Sequence, residues 1–93
     1  MTPSRSVTVP LGRLVATPAA LAALSQADIV AALRRHAVGD WGDVEPDDRA
    51  ANDDALKSGD RLLSVYFSGT GTKFWVITEA DRSSTTVLLP DDY

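Results

Sequence analysis

Polar and hydrophobic positions alternate in the last third of the chain and recur at helical spacing in the middle. Between Arg61 and Leu89 lie three short runs of β-branched and aromatic residues. They are separated by Ser68-Gly69-Thr70-Gly71 and by Glu79-Ala80-Asp81-Arg82. Period-two runs bounded by such turn residues predict a three-stranded antiparallel meander. In the first run Leu63, Val65 and Phe67 alternate with Leu62, Ser64 and Tyr66. In the second, Phe74, Val76 and Thr78 oppose Lys73, Trp75 and Ile77, and in the third Thr85, Val87 and Leu89 oppose Ser84, Thr86 and Leu88. One face is apolar enough to require a helical cover. The other is expected to carry Ser64, Tyr66, Lys73, Trp75 and the threonines, and to remain open.

The preceding half supplies the cover. Thr17-Pro18 is a helix start, because threonine caps free amides and proline suits the first helical position. An alanine- and leucine-rich segment follows to Leu24, and Ser25 with Asp28 forms a second cap. Ile29, Val30, Leu33 and Ala37 then recur at helical spacing, with Arg34 and Arg35 near the negative end of the helix and Gly39 ending it. Glu45-Pro46-Asp47-Asp48 opens a third helix with a thin apolar stripe, Ala50, Ala51, Ala55 and Leu56, which closes at Lys57 and Gly59. Asn52 sits mid-helix, where its side chain has no intrinsic advantage. In Val7–Ala16 a weak alternation indicates a strand that begins after Pro10 or lies at an edge. The expected fold class is α+β: two to three N-terminal helices packed on one face of a three- or four-stranded antiparallel sheet. Residues 1–10 are expected to form a flexible N-terminus and residues 11–93 a single domain.

Composition narrows the chemistry. The absence of cysteine removes disulfides and thiolate metal sites. No apolar run approaches the ~18–20 residues of a membrane span, and the start of the chain has no signal-peptide core, so a cytoplasmic location is expected. Between Asp40 and Asp60 eight acidic residues meet two basic ones, so this segment carries −6 and the remainder of the chain +2. Such a block repels nucleic acid and attracts basic protein surfaces.

Candidate catalytic groups are sparse. His36 is the only histidine, and no motif pairs it with Ser64, Ser68, Ser83 or Ser84. At a helix end it has carbonyls to interact with. Asp40, Asp43, Asp47 and Asp48 do not match the spacing of a calcium loop, so no metal and no cofactor is expected. Ser68-Gly69-Thr70-Gly71-Thr72 lacks the lysine of a phosphate-binding loop and reads as a hairpin. Asp81 and Arg82, with Lys73, Arg61 and Glu79, are expected to cluster at one end of the meander. With His36 they define the alternative of a small nuclease or toxin-like enzyme. Trp41, between two glycines and two aspartates, is either a plug at the core edge with its N–H bonded or an anchor facing a partner.

From Leu11 onward the chain resembles a family of small proteins carried by bacterial plasmids, prophages and integrative elements. The resemblance rests on the helix start Ala16-Thr17-Pro18, on Arg35-His36 followed by Gly39-Asp40-Trp41-Gly42-Asp43, and on Asn52. It continues through Gly59 and Arg61 to Tyr66, Lys73 to Ser83 and Thr85 to Pro90, and ends at Tyr93. It implies a mobile genetic element as the source and no particular reaction. Together with the acidic block, it leads to the expectation of a non-catalytic interaction protein, an inhibitor of a host nucleic-acid-targeting defence complex of the anti-CRISPR or antirestriction type. The partner is then a protein with a basic surface, with no direct contact to nucleic acid or membrane. The residues expected to meet it are Asp40, Trp41, Asp43, Asp47, Asp48, Tyr66, Lys73, Trp75, Asp81 and Arg82. Self-association into a homodimer is a further alternative.

Overall fold

Among the described residues four strands form one sheet in the order β1-β4-β3-β2, where β1 is Arg13–Ala16, β2 Leu62–Phe67, β3 Lys73–Thr78 and β4 Ser84–Leu88. The computed structural model describes residues 8–93. Strands β2, β3 and β4 are the expected meander. The sheet is mixed rather than purely antiparallel, because β1 lies parallel to β4. A parallel pair needs a long crossover, and the helices α1 (Pro18–Ala23), α2 (Gln26–Ala37) and α3 (Pro46–Ser58) provide it.

The helix boundaries follow the local chemistry. The Thr17 hydroxyl accepts from the Ala20 amide and the Ser25 hydroxyl from the Asp28 amide, so α1 and α2 are separate helices with Leu24 extended between them. Gly59 takes the left-handed conformation that ends α3. The buried stripe of α2 differs from expectation. Ala32 and His36 are buried and Ile29 and Leu33 pack beside them, whereas Val30 is exposed. The N-terminal boundary also moves: Val9 is buried and its amide donates to the Ala37 carbonyl. Of the segment expected to be flexible, residues 1–7 lie outside the described residues.

One core joins Ala20, Leu24 and Ala32 of the helices to Tyr66, Phe74, Val76 and Val87 of the sheet. A second joins Val9, Trp41, Ala55 and Leu62. The register places Tyr66 beside Phe74 and Val65 beside Trp75. Ser64 and Tyr66 therefore lie under the helices, and Leu63, Val65 and Phe67 share the other face with Lys73, Trp75 and Ile77. This corrects the expected assignment of faces. The hairpin sets the register: Ser68 N–H bonds to Thr72 O, Gly71 N–H bonds to Ser68 O, and Gly71 has φ +87°. A shift by one residue would exchange every side chain between faces.

The outer edge of β2 is closed by a side chain and a loop, with no further strand among the described residues. The Asn52 side chain donates to Leu63 O (2.6 Å) and accepts from Leu63 N–H (3.1 Å), as a neighbouring backbone would. Two residues on, Val65 N–H donates to Trp41 O and Val65 O accepts from Asp43 N–H. Gly42, at φ +74°, lies so close that a Cβ there would collide with Val65 O and the Tyr66 ring. Asn52 thus has a tertiary reason to sit mid-helix: it satisfies strand groups that would otherwise be stranded at a covered edge. Asn52→Ala is expected to lower stability by about 2–3 kcal/mol, from two lost bonds to partly buried backbone. Urea unfolding measures this, and a loss below about 0.5 kcal/mol, the range of neutral surface changes, would refute the edge-closing role.

Candidate interaction surface

The only histidine is in the interior, not at a reactive surface. His36 is 0% exposed. Its Nδ1 is 2.6 Å from Ser64 Oγ and its Nε2 2.8 Å from Thr78 Oγ1. Thr78 Oγ1 lies 2.7 Å from Thr85 Oγ1, which donates to Leu11 O at 2.8 Å. That last bond fixes the direction of the others. With the Thr85 proton on Leu11 O, Thr78 must donate to Thr85. Nε2–H of His36 must then donate to Thr78, leaving Nδ1 to accept from Ser64. The result is one chain of donors in which the neutral imidazole is satisfied on both sides. Burial, reinforced by the positive charge of Arg82, lowers its pKa to about 4. A serine beside an imidazole suggests a nucleophile, but Ser64 is itself fully buried and no substrate atom has room there.

The Gly39–Asp43 loop is a strap over the edge of the sheet. Arg35 makes a two-point bond to the Asp40 carboxylate, at 2.8 and 3.2 Å. This holds Asp40 below and Arg35 above their ordinary pKa ranges. The Arg35 guanidinium also stacks over the Tyr66 ring, and the Tyr66 hydroxyl donates to Asp40 O at 2.5 Å. Burial pushes the phenol pKa up to about 12. The Trp41 indole is 1% exposed and donates to Asp53 Oδ1 at 3.1 Å, with its ring against His36. Of the residues expected to meet a partner, Trp41 and Tyr66 are therefore core. The indole of Trp41 and the ring of Tyr66 bury more apolar area than an edge site would leave them.

Of the remaining candidates, Lys73, Trp75, Asp81 and Arg82 do not converge. Lys73 opens β3, whereas Asp81 and Arg82 lie in the turn beyond its far end, about 20 Å away at the rise of a strand. The expected cluster of Lys73 with Asp81 and Arg82 is not formed. Arg82, at φ +61°, donates to the carbonyls of Ala55, Asp60, Glu79 and Ala80. It thereby fastens the end of α3 to the β3–β4 turn. Bonds from the Ser83 side chain and from Ser83 N–H within that turn lower the pKa of Asp81. Trp75 lies half-buried on the face opposite α1 and α2 with Tyr93 packed edge-on at 5.6 Å, and among the described residues its buried indole N–H has no hydrogen-bond partner.

Asp43, Asp47 and Asp48 do gather. They are exposed on the loop and first turn of α3, with Glu45 between them and Asp54 two turns after Asp47 on the same outward side. Among the described residues Arg35–Asp40 is the one ion pair, and Arg49 is drawn to Gly42 O instead of a carboxylate. The flank beside β2 is therefore strongly negative and rigidly supported. Among the described residues no group of three or more metal-binding side chains is placed to hold an ion.

A second surface was not expected from the sequence. At the opposite edge a groove of about 490 Å³ runs between β1 and the helices α1 and α2, lined by Leu14, Leu21, Ile29, Val30 and Leu33 among others. Leu21 and Val30 are apolar but exposed, and spacing along the helices alone does not separate them from the buried stripes.

Stability should fall on acidification because of His36. The unfolded histidine takes a proton near its ordinary value of 6.5, the folded one only near 4. The unfolded state thus binds more protons between these values and gains as pH falls through them. The expected loss from this group is about 2 kcal/mol between pH 7.5 and 5, and about 3 kcal/mol once pH is below 4. Urea midpoints across this range, with the His36 imidazole titration followed by NMR, measure it. A folded-state pKa near 6.5 would overturn the assignment.

Comparison of the chain with models of known protein families, with curated proteins and with solved structures gave no match.

Proposed function

We propose that this chain is a non-catalytic protein-interaction module whose acidic flank seats on a basic protein surface. One observation supports this reading above the others: Asp43, Glu45, Asp47, Asp48 and Asp54 are exposed on one supported flank with no ion-pair partner among the described residues. Coulomb attraction of such a flank is long-ranged and speeds encounter with a positive patch. A groove shaped for phosphates is a patch of that kind, because the lysines and arginines that grip a nucleic-acid backbone also attract carboxylates. Taken with the resemblance to proteins of plasmids and prophages, the partner class is a nucleic-acid-targeting defence complex of the host. An enzymatic reading is weaker, since its histidine is buried and its lysine stands apart from Asp81 and Arg82.

The test is capture from nuclease-treated host lysate on the immobilised chain, followed by elution with short duplex DNA. A nucleic-acid-binding complex should be retained at low salt and displaced by the duplex. The quadruple variant D43N/D47N/D48N/D54N should retain at least about tenfold less, since each removed charge weakens a steered interface. Its far-UV spectrum should be unchanged, because all four positions are exposed. Capture that is indifferent to both the substitutions and the duplex would refute the reading.

A further inference from the structure

The two edges of the sheet are treated in opposite ways. Strand β2 is capped along its outer edge, but β1 is not. Arg13 N–H donates to Ser83 O and Thr17 N–H to Val87 O, so Arg13, Val15 and Thr17 turn their backbone toward β4. The N–H and C=O groups of Leu14 and Ala16 point outward from the sheet. Beside them Leu14 is 57%, Val15 41% and, on α1, Leu21 61% exposed. Leu14, Leu21 and Val30 of α2 leave apolar surface on the order of 300 Å² on the helix-bearing face, the size of patch that marks an interaction site, and Val15 adds to the edge from the other face of the strand. Short hydrophobic edges are normally blunted by charge, proline or a covering element; here none covers Leu14 and Ala16 among the described residues.

We propose that this edge is the dimerisation surface of the chain: a second copy pairs antiparallel with β1 about a two-fold axis, joining two sheets into one of eight strands. Backbone chemistry restricts the register. Gly12 is left-handed at φ +64° and breaks the strand on one side. Pro18 has no N–H to offer on the other. Both outward residues bond only when Leu14 faces the partner's Ala16, with Val15 opposite the partner's Val15. That arrangement makes four new backbone hydrogen bonds and places each Leu14 at the mouth of the partner's groove.

Charge complementarity favours a second copy as the occupant. In this register Arg13 faces the partner's Thr17, and Thr17 carries Asp92 on its hydroxyl at 2.6 Å. Among the described residues the Arg13 guanidinium has no hydrogen bond or ion pair, so two guanidinium–carboxylate contacts form across the axis. The acidic flanks lie beside β2, at the far edge of each sheet, so dimerisation keeps the like charges of two negative chains apart. Pairing two patches buries about 600 Å² of apolar surface, roughly half of the ~1,200 Å² lower range of specific interfaces, which corresponds to a weak, reversible dimer.

Analytical ultracentrifugation of the full chain tests this. A monomer–dimer equilibrium is expected. Val15→Lys, which sets two ammonium groups face to face, should weaken it about tenfold or more, and Arg13→Asp several-fold, most at low salt. Both positions are exposed, so thermal unfolding checks that the fold is intact. Antiparallel residues in a non-hydrogen-bonded pair have Cα atoms about 4.5 Å apart, within the disulfide range of about 4.4–6.8 Å. Val15→Cys in this cysteine-free chain should therefore oxidise to a linked dimer much faster than Thr70→Cys at the hairpin tip. A chain that stays monomeric at high concentration overturns the proposal, as does a dimer indifferent to Val15→Lys or a Val15→Cys rate no faster than that of the hairpin control. A monomer that binds an extended apolar peptide at this edge would also overturn it.

Discussion

The hydrogen-bonded chain from Ser64 through His36, Thr78 and Thr85 to Leu11 O is the constraint on which the architecture turns. It ties α2 to β2, β3 and β4 and to the segment that leads into β1. Each member is a buried polar group that would carry a desolvation penalty alone, and each is satisfied only if the other elements are in register. A slip of β2 by one residue would turn Ser64 outward and orphan His36. The chain therefore selects one arrangement among the many that hydrophobic contact alone would tolerate.

The loop between α2 and α3 extends the same logic to the edge of the sheet. Trp41 packs against His36, Asp40 receives both Arg35 and the Tyr66 hydroxyl, and the Trp41–Asp43 backbone bonds to Val65. The strap holds the start of α3, with its exposed carboxylates, against β2. Charge is thus displayed by a supported element rather than a mobile tail, and less conformational freedom is lost when a partner docks on it. Arg82 does the same at the other end of α3, where one guanidinium collects carbonyls from the helix and from the β3–β4 turn.

The fold is consequently lopsided. Along β2, side-chain amide and loop backbone replace a strand, and the surface there is negative. Along β1, backbone groups and leucines face outward with one arginine nearby. The two surfaces differ in the physics that would fill them. Long-range Coulomb attraction acts at the first, and short-range hydrogen bonding and apolar burial act at the second.

Much of this was legible in the residues. Thr17-Pro18, Ser25 and Pro46 fix helix starts, Gly59 ends α3, and alternation around two turns fixes the meander, because capping, left-handed glycine and period-two patterning are local effects. The acidity of the segment around α3 is equally plain from composition. Tertiary structure alone decided which sheet face is covered. Ser64, Thr78 and Thr85 look solvent-facing by polarity but go inside because a histidine 28 residues from Ser64 meets them. It also decided that Asn52 closes a strand, that Trp41 and Tyr66 are interior, that Lys73 and Arg82 lie at opposite ends of β3, and that β1 runs parallel to β4. In each case the deciding partner is remote in sequence, and a buried polar group's preference depends on that partner rather than on its neighbours along the chain.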